Sequence, residues 1–385
     1  MLHNISLTNF RNYSKYSIDF GKTTIFVGAN GIGKTNIIEA IYLISTGRSW
    51  RTNRDNETVR WSDVIPSQSE ESPANAGSRI RERSFADAQD DIQNVARIIG
   101  QIVNEDSYEI EMIIQKTPTA EHPQTKLVKI NSVKKKLTEI LGLLPTVLFS
   151  PEEIHLIDGA PALRRRFLDI LLCQIDRKYT LALLDLAKII RGRNRLLYYL
   201  KIGRSKVDEL AFWDEKLVAL GSFIVKKRQG ATTKINKELT KKYQEIAGRG
   251  ESLQLKYKPT VEPDNFAEML AANREREIEQ TATLFGPHRD DLVFLLQSKD
   301  ITTFGSRGEY RSAVLAVKAS ELEFLAIEKG ERPLLLLDDI FSELDKNRRM
   351  HLAKIVEGQQ TIITTTDLDH IEKNLGEKGK IVELK

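Results

Sequence analysis

Residues Gly28-Ala29-Asn30-Gly31-Ile32-Gly33-Lys34-Thr35 fit the pattern G-x-x-x-x-G-K-[ST] in full, and their flanks constrain what the chain around them becomes. Residues 5–10, 18–20 and 24–27 read as short strands, and the third runs straight into the glycine loop. The following Asn36-Ile37-Ile38-Glu39-Ala40-Ile41-Tyr42-Leu43 places apolar residues at helical spacing. Glycines let the backbone turn tightly and aim several N–H groups at phosphates, and the new helix adds its positive end. The loop and Asn36 are the expected phosphate cradle. Lys34 is expected to reach the β- and γ-phosphates, and the Thr35 hydroxyl to ligate Mg²⁺. A chance glycine turn would need neither flank.

The partners of such a loop are expected near the other end. Pro333-Leu334-Leu335-Leu336-Leu337-Asp338-Asp339 reads as a buried parallel strand that delivers two carboxylates to the site. Asp338 is expected to hold Mg²⁺, and Asp339 to orient and deprotonate the attacking water. The plainer reading has both acids merely capping the next helix. Upstream, Ser306-Arg307-Gly308-Glu309 precedes a helix-like stretch over 311–327 and forms a second anion-binding helix end. In the ABC class of ATPases this signature meets a nucleotide held by a second subunit. One loop and one signature per chain therefore predict a two-fold homodimer. The catalytic set is thus Lys34, Asp339 and Ser306. Ile340-Phe341-Ser342-Glu343-Leu344-Asp345 resembles the D-loop of these ATPases, with Ser342 and Asp345 as its candidates. The next strand ends at Thr366, where a switch histidine is common, and His370 follows four residues later without an assigned role.

Residues 162–280 read as mostly helical. One apolar stripe runs through Leu168, Leu172, Ile175, Tyr179, Leu183, Leu186 and Ile190, and a second through Leu210, Trp213, Leu217, Leu220 and Ile224. They are expected to pack as an antiparallel arm. The resulting fold class is α/β: an ABC-type ATPase head of mixed β-sheet and helices over 1–161 and 281–385, with an inserted, mostly helical second lobe over 162–280. Polar, apolar-poor residues 66–92 read as a mobile surface insertion.

The formal charge of +4 comes from 58 cations against 54 anions, so any affinity for a polyanion must come from local clusters. Lys134 and Lys135 in the head, and Arg191, Arg193, Arg195, Lys226 and Lys227 in the arm, are the candidate DNA contacts. The plainer reading is solvated helix faces and internal ion pairs. Arg164, Arg165 and Arg166 could instead brace the lobe junction. Arg48 and Arg51 could approach the nucleotide or DNA, or simply the helix C-terminus, and His288 and Arg289 could serve the site or the core. No apolar run approaches the roughly 18 residues of a membrane span. The start of the chain lacks the layout of a secretory signal. The one cysteine, Cys173, leaves no partner for an internal disulfide. A reduced, cytoplasmic protein away from membranes is the expectation.

Two further segments carry a specific resemblance. Pro151-Glu152-Glu153-Ile154-His155-Leu156-Ile157-Asp158-Gly159-Ala160-Pro161 with Arg164-Arg165-Arg166-Phe167-Leu168-Asp169, and Leu284-Phe285-Gly286-Pro287-His288-Arg289-Asp290-Asp291-Leu292, are similar to the RecF family. So are Leu7-Thr8-Asn9-Phe10-Arg11-Asn12-Tyr13 and Gly47-Arg48-Ser49-Trp50-Arg51-Thr52, in the expected order along nearly the whole chain. The resemblance implies a slow ATPase with ATP and Mg²⁺ that dimerises on double-stranded DNA beside single-strand gaps or junctions. It also implies work with RecO and RecR to load the RecA recombinase. An ATPase subunit of a transporter would place signature and loop closer together, without a basic arm. A nuclease carrying such a head would need more than the roughly 40 residues after Asp345.

Overall fold

The computed structural model describes residues 1–52, 54–60, 94–103, 107–116, 126–371 and 373–385. The insertion expected at 66–92 lies outside the described residues. From the N-terminus come β1 (Leu2–Phe10), β2 (Tyr13–Asp19), β3 (Thr23–Val27) and helix α1 (Lys34–Thr46). Then follow β4 (Val95–Val103), β5 (Ser107–Gln115), β6 (Lys126–Ile130), β7 (Val133–Lys135) and β8 (Thr146–Phe149). Helices α2 (Pro161–Cys173), α3 (Arg177–Lys201) and α4 (Leu210–Ala247) lead to β9 (Leu253–Lys258). Next are α5 (Phe266–Ala272), α6 (Arg274–Gln280), β10 (Asp291–Leu296) and β11 (Lys299–Asp300). The chain closes through α7 (Arg307–Lys329), β12 (Leu334–Asp338), α8 (Lys346–Val356), β13 (Thr361–Thr365), α9 (Lys373–Lys378) and β14 (Lys380–Glu383).

Two sheets sandwich α1. One is antiparallel, in the order β2-β1-β4-β5-β6-β7, and the other is parallel, in the order β14-β3-β13-β12-β8. The antiparallel sheet is covered on one face, so β4 alternates: Ala96, Ile98, Gly100 and Ile102 are buried while Arg97 and Gln101 face solvent. Gly100 lets α1 approach, because a Cβ there would run into the Ile44 side chain. The parallel sheet is covered on both faces, and β12 is buried along its whole length. Leu334 and Leu336 join the core around α1, and Leu335 and Leu337 join the opposite core with α2 and α7.

The arm departs from expectation at one point. The stripe from Leu168 to Ile190 belongs to two helices, not one. Helix α2 stops at Cys173, and the Asp176 side chain accepts a hydrogen bond from Tyr179 N to cap α3. The break keeps the three-and-four spacing in phase, which hides it from periodicity. Helices α3 and α4 do pack antiparallel, with Gly192 against Trp213 and Arg193 against Asp214. Helix α4 spans roughly 57 Å at 1.5 Å per residue, pairing with α3 near its start and running along α7 and β9. Packing is continuous across the boundaries expected near 161 and 280. A single hydrophobic cluster contains Leu168, Leu217 and Ile235 of the helices together with Phe149, Leu337 and Ile363 of the parallel sheet. A third sheet, β11-β10-β9, lies where the helical part rejoins the head.

Candidate nucleotide site

Strand β3 ends at Val27, the loop turns over Gly28 to Gly33, and α1 begins at Lys34. Gly31 and Gly33 hold φ of 82° and 114°, a region where side chains are strained. Gly33 is also hemmed in: a Cβ would lie 2.5 Å from Asn12 Nδ2 and 2.8 Å from the Tyr13 hydroxyl. Those two side chains cradle the loop from the β1–β2 turn. Asn12 Nδ2 donates to Ile32 O at 2.8 Å, and the Tyr13 hydroxyl to Gly33 O at 3.2 Å. Lys34 Nζ donates to the carbonyls of Gly28 and Ala29 at 2.7 and 2.9 Å. These are acceptors it can exchange for phosphate oxygens. Burial lowers its pKa, opposed by the charges of Asp339 and then Asp338.

Parallel pairing of β12 and β13 brings the acids under the loop. Asp338 Oδ1 accepts from the Thr35 hydroxyl at 2.9 Å and from the Thr364 hydroxyl at 2.7 Å. Burial pushes the Asp338 carboxyl up, and these two hydrogen bonds oppose it. The Thr35 and Asp338 oxygens form a paired, oxygen-only donor set of the kind Mg²⁺ takes alongside phosphate and water. Asp339 sits at φ 50°, a left-handed conformation costly for a residue with a Cβ. Its N–H is held by the carbonyl and hydroxyl oxygens of Thr364 at 3.2 and 3.0 Å. Its Oδ1 is buried with no hydrogen-bond partner among the described residues. A strained backbone that presents a bare carboxylate oxygen beside a phosphate loop suits a group that binds water.

Behind α1 lies a network that sequence reasoning missed. Glu39 is fully buried and accepts two hydrogen bonds from Arg11, at 2.9 and 2.6 Å, one from Ser49 at 2.5 Å and one from Arg51 at 3.1 Å. Arg51 also donates to the Asn36 side chain at 2.8 Å. Arg51 is thus held at the first turn of α1, not at that helix's C-terminus. A glutamate within an otherwise apolar helix face, with arginines before and after it, was the available signal.

Ser306 is the N-cap of α7 and forms a capping box with Glu309: each side chain bonds the other's backbone N–H. Those bonds to Ser306 hold the Glu309 carboxyl below its usual range. Arg307 and Gly308 make the first helical turn. In the D-loop, the Ser342 hydroxyl donates to Asp339 O at 2.7 Å, and Asp345 caps α8 by accepting from Arg348 N at 3.0 Å. Thr366 follows β13, and His370 lies in a short turn with a buried, unpartnered Nδ1 among the described residues.

The family model described as RecF/RecN/SMC N terminal domain matches residues 1–381. The "DNA replication and repair protein RecF" of Agathobacter rectalis is 35% identical over 383 residues, covering 99% of this chain and 96% of that protein. The protein of the same name from Chloroflexus aurantiacus is 36% identical, covering 95% and 93%. The chain belongs to the RecF family. A solved structure of "the recombination mediator protein RecF-ATP in RecFOR pathway" superimposes with a TM-score of 0.82 at 31% identity, over 96% of this chain and 93% of that one. An Smc head domain from Pyrococcus furiosus, 18% identical with a TM-score of 0.52, shares the fold. These relatives do not favour a transporter subunit or a nuclease.

The candidate DNA-binding cations divide by environment. Lys134 and Lys135 are exposed on β7, at a cleft of about 550 Å³ lined also by Lys126 and Lys136. Lys135 lies 3.8 Å from Glu139. Arg191 and Arg195 are exposed on α3, with Arg195 over the Tyr199 ring. Lys226 is exposed, and Lys227 pairs with Asp176 at 2.6 Å. Arg193 is a correction: it is fully buried and bonded to Asp214, Glu277 and Thr283 at 2.8, 2.6 and 3.0 Å. It ties α3 to α4 and α6 and is closed to a DNA phosphate. The arginine triplet takes the bracing alternative: Arg164 is bidentate on Asp291, Arg165 donates to Asp290 O and Arg166 to Ser49 O. His288 belongs to the core, with Nε2 3.0 Å from Thr283 O.

Proposed function

We propose that this protein is an ATP-driven switch on DNA in recombinational repair. The observation that carries the reading is the convergence of Lys34, Thr35, Asp338 and Asp339 at one glycine loop, with Asp339 Oδ1 buried and unpartnered among the described residues. The N–H groups of 28–36 and the Lys34 ammonium bind the triphosphate. Thr35 and Asp338 would hold Mg²⁺, which would supply positive charge to the triphosphate. Asp339 takes a proton from water as its oxygen attacks the γ-phosphorus and ADP leaves. Ser306 of a second copy, with its Arg307-Gly308-Glu309 turn, completes the site, and Ser342 and Asp345 line the same junction. ATP thus closes a two-fold dimer, and slow hydrolysis releases it.

Double-stranded DNA, at a gap or junction, is the proposed partner, held through phosphates by Lys134, Lys135, Arg191, Arg195, Lys226 and Lys227. Relatives described within a RecFOR pathway support RecO and RecR as further partners. Among the described residues no helix is long and apolar enough to cross a membrane, and we place the protein in the cytoplasm. Light scattering with ATP, ADP and no nucleotide tests the switch. Asp339→Asn should bind ATP normally, accumulate as dimer and lose turnover by about 10²-fold or more. Turnover at the wild-type rate would remove Asp339 from its role.

A further inference from the structure

We propose that Arg348 is the positioning residue that joins the D-loop to the signature turn, so that the two loops meet a second copy as one rigid body. The inference rests on the dimeric reading above. Arg348 lies in the first turn of α8, yet its guanidinium reaches across to α7. Nε donates to the Ser312 hydroxyl at 2.9 Å, and Nη2 donates to Gly308 O, within the signature itself, at 2.9 Å. Nη1 bonds the carboxylate of Asp345, the D-loop acid that caps α8. One planar fork thus holds an acceptor on the D-loop and two on the signature helix. An ammonium is a compact point charge and does not offer that fork of fixed directions.

The surroundings make this contact decisive. Ser312 is buried, so loss of Arg348 leaves its hydroxyl without this partner. A second polar link between the two segments, Arg311 to Glu343 at 2.8 Å, is exposed at both ends and screened by solvent. The D-loop is tied in turn to the hydrolytic acid through the Ser342 hydroxyl and Asp339 O. Gly308 is therefore connected to Asp339 by hydrogen bonds through Arg348 to Asp345, by the backbone of residues 342–345, and by the Ser342 hydroxyl. Contact of a second copy's nucleotide with the signature is transmitted along this path.

The test uses the full chain with Arg348→Ala, Arg348→Lys and Ser312→Ala. Binding of a fluorescent ATP analogue to the monomer should stay within about twofold of wild type for all three, because none touches the phosphate loop. ATP-dependent dimerisation and maximal turnover should fall by about tenfold or more in Arg348→Ala. Arg348→Lys should fail to rescue, which separates a fork from a charge. Arg348→Ala with Ser312→Ala should be no worse than Arg348→Ala alone. If Arg348→Ala does not fold, Arg348→Lys and Ser312→Ala carry the same prediction. Wild-type dimerisation and turnover in Arg348→Lys would overturn the proposal, as would fully additive losses in the double variant. If wild type itself never dimerises with ATP, the dimeric reading fails. If wild type dimerises and the Arg348 variants match it, only this inference fails.

Discussion

His288 shows burial setting charge at a single residue. Burial pushes its pKa down from the ordinary 6.5 to about 4, with the neighbouring Arg289 adding to the effect and its hydrogen bond to Thr283 O opposing it. The ring is therefore neutral at neutral pH. The unfolded chain takes up a proton below about pH 6.5 and the folded chain only near pH 4, so stability rises with pH across that window. Acidification to about pH 5 should cost about 2 kcal/mol through this residue. His288→Gln should lose that part of the pH dependence, read as the difference in urea midpoints at about pH 7.5 and about pH 5. An equal fall in both proteins would show that another group titrates. The same scale separates Arg193 from Arg191 and Arg195. All three share one helix and one spacing, but only Arg193 faces α4 and α6, where Asp214 and Glu277 neutralise it. Charge spacing identified the group; the facing acids, 21 and 84 residues away, decided its use.

At the scale of elements, two helical glycines should respond in opposite directions. A Cβ at Gly192 would collide with the Trp213 ring, so Gly192→Ala should overpack the arm and cost about 1–3 kcal/mol. At Gly230 in α4, among the described residues, no atom beyond the helix's own neighbouring backbone lies within 4 Å of where a methyl would sit, so Gly230→Ala should add about 0.5–1 kcal/mol. Thermal melts of both variants give the signs, and stabilisation by Gly192→Ala would mean that the arm packs more loosely than described. The sequence shows glycines in helical stretches but not what faces them. It likewise delivers the phosphate loop because strand, turn and helix there are contiguous. The Glu39 network escaped because Arg11, Ser49 and Arg51 come from either side of α1, and no local pattern announces their convergence.

For the whole molecule, the lysine cleft beside β7 is the surface on which DNA binding can be tested apart from ATP. Replacing Lys134, Lys135 and Lys136 with glutamate should weaken duplex binding, and should lower the salt slope of log affinity by up to about 3 if each lysine neutralises one phosphate. Fluorescence anisotropy at several salt concentrations measures the slope. An unchanged slope would move the DNA surface elsewhere, to the arm cations. ATP binding should not change, since the phosphate loop draws its partners from β12 and β13 of the parallel sheet, whereas β7 is the far edge of the antiparallel one.

Contiguous sequence was enough for the candidate nucleotide elements: the glycine loop at 28–35 between strand and helix, and the acids after four leucines. Each is a local motif whose chemistry follows from neighbouring residues. The capping roles of Ser306 and Asp345 came from the structure. Folding in three dimensions was needed to establish that Thr35 and Asp338 touch, that the helical arm shares a core with the head, that Arg193 is buried and that Arg348 bridges two loops. Those are contacts between residues 21 to 303 positions apart, and only the packing of α1 between two sheets, and of α4 along α7, brings them within reach.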